Sequence, residues 1–483
     1  MSLFTVHAVR ADALPLQEAL IQAVKTHPQI ISKRFELTAS GFLLDGAEWG
    51  RFPSLTTDVN TLESGDNNVT VRVEQPLWTG GRITGQINSA EASVQMAQAS
   101  LGAIEQQILM ETATAYFDLA RMQAKLKIAQ DNELEHQRLV ESMARRVASE
   151  ISPKADLTQA ETRLQQASSD SIQLQNQARM GKIALEQLVG YEIDTLDTPY
   201  SLLLPLKNGD DVFEQARHIS PERIRLEFEV KKADADIQLS KAQLMPNLLL
   251  GYQKRIGNVF FTPDNNQLYL GLRFNSGPGL SGLSGVNASI ASRDAALNQI
   301  DIFDRTLMQE TKGLWAERNG LMNQYEQVRS SVLSSEHVIQ SYFRQFQVGK
   351  KNWLEVLNAQ REKTMAYLAF TDVVYTLELT TLKMLILTGQ LHANQMDLNL
   401  FFEGKRLYEL DPAFPNVDLN EPAPEGAMED MYVKEHLVST QFTTELTEPS
   451  EFEIVDDSLQ SKLQLPVQDS LELNLSRTLQ IIK

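Results

Sequence analysis

The sequence reads twice, and that constrains its fold more than any other feature. Pro28 and Pro221 each follow a short helical start, and Pro53 and Pro246 each open an apolar, strand-like stretch, both pairs about 193 residues apart. Further on, Val69, Val71 and Val73 match Leu268, Leu270 and Leu272, Gly80 matches Gly279, Ala160 matches Ala359 and Gly190 matches Gly389, all at an offset of about 199. The offset changes by about six residues between Pro53 and Val69, within residues 63–68 in one half and 262–266 in the other. Those segments are rich in Gly, Asn, Asp and Pro, the residues of exposed turns, where insertions are tolerated best. The chain is therefore two copies of one unit, each with one hairpin loop of variable length.

Within each copy, Val69, Val71 and Val73 alternate with Thr70, Arg72 and Glu74, while Leu268, Leu270, Leu272 and Phe274 alternate with Tyr269, Gly271 and Arg273. Period-two alternation places the apolar set on one face of a strand and the polar set on the other. The preceding stretches, 53–61 and 245–261, pair with these strands across the variable loops, giving four strands per chain. Even a small barrel needs about eight strands, so closure requires strands from several protomers.

The remainder is helical. Residues 82–150 are rich in Ala, Gln, Glu and Leu and contain no Pro, and at 1.5 Å per residue they predict a rod of roughly 100 Å. Ile87, Val94, Leu101, Ile108, Ala115, Met122 and Ala129 recur every seventh residue, as do Ile300, Leu307, Leu314, Leu321 and Val328. Such a repeat specifies coiled-coil packing, and the small Ala90 and Ala97 allow close approach. The rods break at Ser149-Glu150-Ile151-Ser152-Pro153 and at Val348-Gly349-Lys350-Lys351-Asn352, after which a second amphipathic run returns.

Composition narrows the function. A net charge of −19 with a pI near 4.9 opposes a nucleic-acid partner, which needs a basic face. There is no cysteine, so disulfides, thiolate metal sites and a cysteine nucleophile are excluded. No run reaches the 18 or so apolar residues of a spanning helix, which leaves a barrel strand as the only membrane-crossing element. Gly80-Gly81-Arg82-Ile83-Thr84-Gly85 lacks the Lys-Ser/Thr ending of a phosphate loop. His136 has Glu133 one turn before it but no further ligand nearby, His337 has no carboxylate one turn away, and Gly279-Leu280-Ser281-Gly282 has the wrong spacing for a nucleophile elbow. The sequence thus predicts no catalytic residue, cofactor or metal. Residues 1–13 carry small-residue cleavage patterns, Val9-Arg10-Ala11 and Ala11-Asp12-Ala13, without a basic start, and read as a signal-peptide remnant. The alternative is a cytosolic N-terminus that happens to contain alanines.

Three segments in order resemble the TolC family of outer-membrane factors. They are Gln75-Pro76-Leu77-Trp78-Thr79-Gly80-Gly81-Arg82 at the strand-to-helix junction, Arg146-Val147 to Ser152-Pro153-Lys154-Ala155-Asp156-Leu157 with Gln159-Ala160-Glu161 at the first helical tip, and Phe346-Gln347-Val348-Gly349 to Leu354-Glu355-Val356-Leu357-Asn358-Ala359-Gln360 at the second. The likeness spans about residues 14–391. Glu150 departs from it, standing where the family's first tip usually has Gly, and the second junction, Asn275-Ser276-Gly277-Pro278-Gly279, lacks the Gly-Gly-Arg of the first.

The resemblance implies a mainly α protein with a β-barrel part: four strands per protomer, a trimeric twelve-stranded barrel and a periplasmic helical tunnel. It divides the chain into the remnant 1–13, a first repeat 14–200, a second repeat 201–391 and a tail 392–483. Residues 401–483 hold 17 acidic and 6 basic residues with four early prolines, which predicts a largely disordered periplasmic tail. By the same resemblance, Val69, Val71, Val73, Leu268, Leu270 and Leu272 face lipid while Arg72 and Arg273 line the lumen. Ser152, Pro153, Gly349, Lys350 and Lys351 are the docking surface for a periplasmic adaptor, and Glu355 and Asn358 ring the periplasmic entrance, with Asn358 replacing one of two usual acidic residues. The expected location is the outer membrane of a Gram-negative cell, reaching into the periplasm. The expected partners are two further copies of the chain, outer-membrane lipid, an adaptor and an inner-membrane ABC transporter or other pump. One large subgroup of drug-efflux ducts begins with a lipidated cysteine. The sequence has none, which points toward type I secretion of an adhesin or toxin; multidrug efflux and a non-transporting coiled-coil scaffold are the alternatives.

Overall fold

The computed structural model describes residues 13–61, 67–197, 200–256, 266–274, 278–279, 281–391 and 402–406. The predicted signal remnant (save Ala13), both variable hairpin loops, most of the second strand-to-helix junction and nearly all of the acidic tail lie outside the described residues.

The duplication is repeated in the elements, almost residue for residue. Helix α1 (Leu16–Thr26) and α2 (Pro28–Trp49) have counterparts of the same length, 11 and 22 residues, in α5 (Gly209–Ile219) and α6 (Pro221–Ala242). Both second helices start on a proline, whose missing N–H costs nothing in the first turn, and His27 and Ser220 cap them with side-chain acceptors. Strands β1 (Ser54–Thr61) and β2 (Asn67–Trp78) lead into α3 (Arg82–Ala148) and α4 (Lys154–Val189). Strands β4 (Asn247–Ile256) and β5 (Asn266–Arg273) lead likewise into α7 (Ser281–Gln347) and α8 (Trp353–Leu387). The two long rods, α3 and α7, are 67 residues each, hence about 100 Å long. Among the described residues, no helix is long and apolar enough to cross a membrane.

The strands form one antiparallel sheet in the order β1-β2-β4-β5, so β1 and β5 are its outer edges. The helices continue the layer: α2 packs on α3, α3 on α6 and α6 on α7, and the returning helices α4 and α8 pack along α3 and α7. Among the described residues, three apolar clusters hold them, the smallest around Phe213, Ala216, Leu307 and Leu387. The largest surrounds Leu20, Ile108, Tyr116, Phe117, Leu185 and Leu385, where the short helices meet the rods. Another joins Leu139, Met143, Phe346, Trp353 and Leu357 close to the turns between rod and returning helix. Between these two α3 and α8 are fastened by polar contacts: Gln360 Nε2 and Thr364 Oγ1 donate to Asn132 Oδ1 at 3.0 and 2.8 Å, and Lys125 pairs with Asp372 at 2.6 Å.

One pairing departs from the sequence reading. Residues of the presumed tail, Phe402–Arg406, form strand β6, which pairs antiparallel with β3 (Tyr200–Leu202) at the boundary expected between the two repeats. The carboxylate of buried Glu378 on α8 accepts from Leu202 N at 2.7 Å and Ser201 Oγ at 2.8 Å, which binds β3 to the helical layer. Five residues of the tail expected to be largely disordered are thus in a strand, and the rest of that tail lies outside the described residues. Charge and proline content signal disorder on average, and a short strand is decided by its partner.

Candidate functional site: a two-faced sheet and paired helical tips

Register decides which side chains share a sheet face. Val73 lies opposite Leu55 on one side and Tyr252 on the other, and Tyr252 lies opposite Leu268. Leu270 faces Leu250 and Leu272 faces Leu248. One face thus carries Leu55, Val59, Val69, Val71, Val73, Leu250, Tyr252, Ile256, Leu268, Leu270 and Leu272 across all four strands, interrupted by Thr57, Gln75 and Lys254. The two apolar sets predicted from alternation therefore belong to a single surface. Much of it is bare in the protomer: Leu268 and Leu272 are 71% exposed, Leu55 70% and Leu270 66%. Leu250, Tyr252 and Ile256 were not legible as members, because the run Leu248-Leu249-Leu250 hides the alternation in β4.

The opposite face is polar and internally bonded. Glu74 Oε1 accepts from Tyr269 Oη at 2.7 Å and lies 3.5 Å from Arg273 and 3.9 Å from Arg72, which also reaches Asp58 at 3.9 Å. The Tyr269 phenol crosses Gly251 to get there, and a Cβ at 251 would clash with it, striking Cζ and lying 2.6 Å from Oη. Glycine in this strand is thus required by a close side-chain approach.

At the far end of the rods, the two turns are the same structure. After α3, Glu150 N donates to Val147 O at 3.0 Å and Ile151 N to Arg146 O at 2.9 Å; after α7, Gly349 N donates to Phe346 O at 3.0 Å and Lys350 N to Gln345 O at 2.8 Å. Both are Schellman caps, which need a left-handed residue just past the helix. Gly349 supplies it at φ 73°, and Glu150 supplies it at φ 59°, alone among the described non-glycine residues.

The two tips are joined. Arg146 donates from Nε to Ser152 Oγ at 3.3 Å and its guanidinium stacks 4.7 Å from the Phe346 ring, which in turn packs against Trp353 with centroids 5.1 Å apart. Lys351 lies 4.2 Å over the Tyr342 ring and pairs with Glu355 at 2.6 Å. Of the predicted docking residues, Pro153, Gly349 and Lys350 are exposed, whereas Ser152 and Lys351 are half-buried and engaged. Ile151 and Val348, exposed by 64% and 69%, are apolar knobs at the same two turns that the motifs did not single out.

Glu355 has a local role. It closes a capping box with Asn352, accepting from Asn352 N at 3.1 Å, and Lys351 together with that N–H holds its carboxyl below the usual range. Asn358 sits one turn further along α8 and is half-buried. His136, on α3 above the first tip, is 6% exposed with Nδ1 unpartnered; burial, and next the nearby Arg163, lowers its pKa.

The sequence profile of a family described as "Outer membrane efflux protein" matches residues 21–191. Among curated proteins, the chain is 23% identical to the cobalt-zinc-cadmium resistance protein CzcC of Cupriavidus metallidurans, covering 75% of this chain and 87% of that one. It is 21% identical to the outer membrane protein TolC of Vibrio cholerae, covering 79% and 88%. The solved structure of the outer membrane protein VceC of Vibrio cholerae superposes with a TM-score of 0.68 at 15% identity, over 77% of this chain and 96% of that one. The first repeat of the chain matches the outer membrane efflux protein family. That match and the curated relatives together place the chain in the outer membrane of a Gram-negative cell as a channel subunit extending into the periplasm. Channels of that family are trimers within tripartite efflux systems. The sequence profile covers the first repeat; the second is carried by the fold and by the internal duplication.

Proposed function

We propose that three copies close edge to edge, β5 of one protomer on β1 of the next, into a twelve-stranded barrel with the apolar face in lipid and the polar face around the lumen. The observation that carries this reading is the sheet itself. It has two unpaired edges, one bare apolar face and one hydrogen-bonded polar face. Unpaired strand edges and an exposed apolar surface of this extent are liabilities in water, and closure within a bilayer removes both. The tips Ser152, Pro153, Gly349, Lys350 and Lys351 receive the adaptor, and Glu355 and Asn358 stand at the periplasmic mouth. Mass photometry in mild detergent tests the assembly: a trimer is expected, and a monomer or dimer overturns it.

The energy comes from an inner-membrane pump. Type I secretion of an unfolded protein, driven by an ABC transporter, is the reading we favour for the cargo, supported by a polar face on which, among the described residues, three arginines stand against two acids and so disfavour free metal cations. Small-solute efflux is favoured by the name of one relative, a cobalt-zinc-cadmium resistance protein. A deletion strain separates them. Loss of a large protein from the culture medium with unchanged tolerance to metals and drugs supports secretion, and the reverse supports efflux.

A further inference from the structure

The polar face of the sheet carries a ladder of arginines, and we propose that it makes the barrel lumen a path for acidic polypeptide. Arg273 stands opposite Asn247, Arg72 opposite Gln253 and Arg255 opposite Thr70. Those levels run from Asn247 to Arg255 along β4, so the three cations are distributed over roughly 27 Å of strand at about 3.3 Å per residue, close to the thickness of a bilayer core. All three share the face of Gly251 and Gln253, opposite that of Val71 and Leu270. The acids described on this face are Asp58 and Glu74, and both are engaged. Glu74 accepts from Tyr269 and lies near Arg72 and Arg273, and Asp58 lies near Arg72. Among the described residues no ion pair reaches Arg255.

Each protomer therefore contributes a surplus of one positive charge to the described polar face, in a chain whose net charge is −19. In a closed trimer the surplus is tripled and held within low-dielectric walls, which focus a field along the axis. Arginine is suited to carboxylates, since its planar fork donates to both oxygens. Gln253, Gln267, Thr56 and Thr70, on the same face, supply neutral hydrogen-bonding groups between the cations. Apart from the level of Leu249, Pro76 and Gly271, the lining is thus polar, with cations at intervals a single extended chain could visit in turn. A free divalent cation meets repulsion here, as does a basic peptide.

This inference rests on the reading that the polar face lines a conducting barrel, and the experiment separates the two. Purified trimers are reconstituted in planar bilayers at low salt, where screening is weak, and hexaglutamate or hexalysine is added on the barrel side. Hexaglutamate is expected to interrupt the current at a rate at least about tenfold higher than hexalysine, the scale of electrostatic steering. R255Q, which disturbs no described ion pair, should lower the hexaglutamate rate; D58N/E74Q should raise it, so that neither result depends on a variant that merely misfolds. Channels that conduct but are blocked equally by both peptides, or a rate unmoved by either variant, overturn the ladder and leave the duct reading standing. Trimers that pass no current at all overturn the duct reading, and the ladder with it.

Discussion

Glu150 and Gly349 occupy the same left-handed position in two identical helix caps, φ 59° and 73°, one in each repeat. A glutamate there keeps a conformation that costs an L-residue about 1–2 kcal/mol. Glu150→Gly should therefore stabilise the first tip by about 1 kcal/mol, seen as slower amide exchange of Ile151 and neighbouring amides. Gly349→Val imposes the strain at the second tip without a clash, since nothing lies within 4 Å of its Cβ position, and should destabilise it by about 1–2 kcal/mol. If the tips dock an adaptor, Gly349→Val should also lower export by a stably expressed protein. Unchanged exchange in both variants would mean the caps carry no strain.

A charge on the apolar face should act against assembly. Val71→Asp or Leu270→Arg is expected to impair barrel insertion by roughly 2–4 kcal/mol if the position lies near the bilayer midplane, whereas Arg72→Leu should be milder. Trimer yield from refolding into lipid vesicles measures it, and a more damaging Arg72→Leu would invert the assignment of the two faces.

Glu355 has two possible duties with separate readouts. As a cap, it should lose protection of Asn352 and Leu354 amides on Glu355→Gln. As an entrance carboxylate, it should also lower the cation preference of single trimers at low salt, more than Asn358→Ala does. Exchange that changes while the reversal potential stays fixed would leave it a cap only, consistent with its pairing to Lys351.

His136 predicts a pH response. Its folded pKa lies below the ordinary 6.5 because burial disfavours the charged ring, so at mildly acidic pH the unfolded chain binds the extra proton and the folded one does not. The stability linked to this group is full above the ordinary imidazole range and is lost as pH falls below it. Thermal unfolding of wild type between pH 8 and 5 should show that loss, and His136→Leu should flatten it. Parallel curves for the two proteins would assign the pH response to other groups.

The sequence alone determined the architecture, because a duplication at a fixed offset, a period of two and a period of seven are each imposed by backbone geometry and survive in any context. The 67-residue rods, the hairpins and the positions of Gly80, Gly190, Gly349 and their partners a fixed distance away could all be read from it. What it could not give depends on contacts between segments far apart in the chain. Register across β2 and β4 put Val71 and Leu270 on one surface and lined up Arg72, Arg255 and Arg273 on the other. The approach of Tyr269 over Gly251 to Glu74, the stacking of Arg146 on Phe346, and the pairing of β6 with β3 have no local signature either. Each is chosen by a partner that only the folded chain brings near, and a one-residue slip in pairing would reassign every side chain of a strand to the other face.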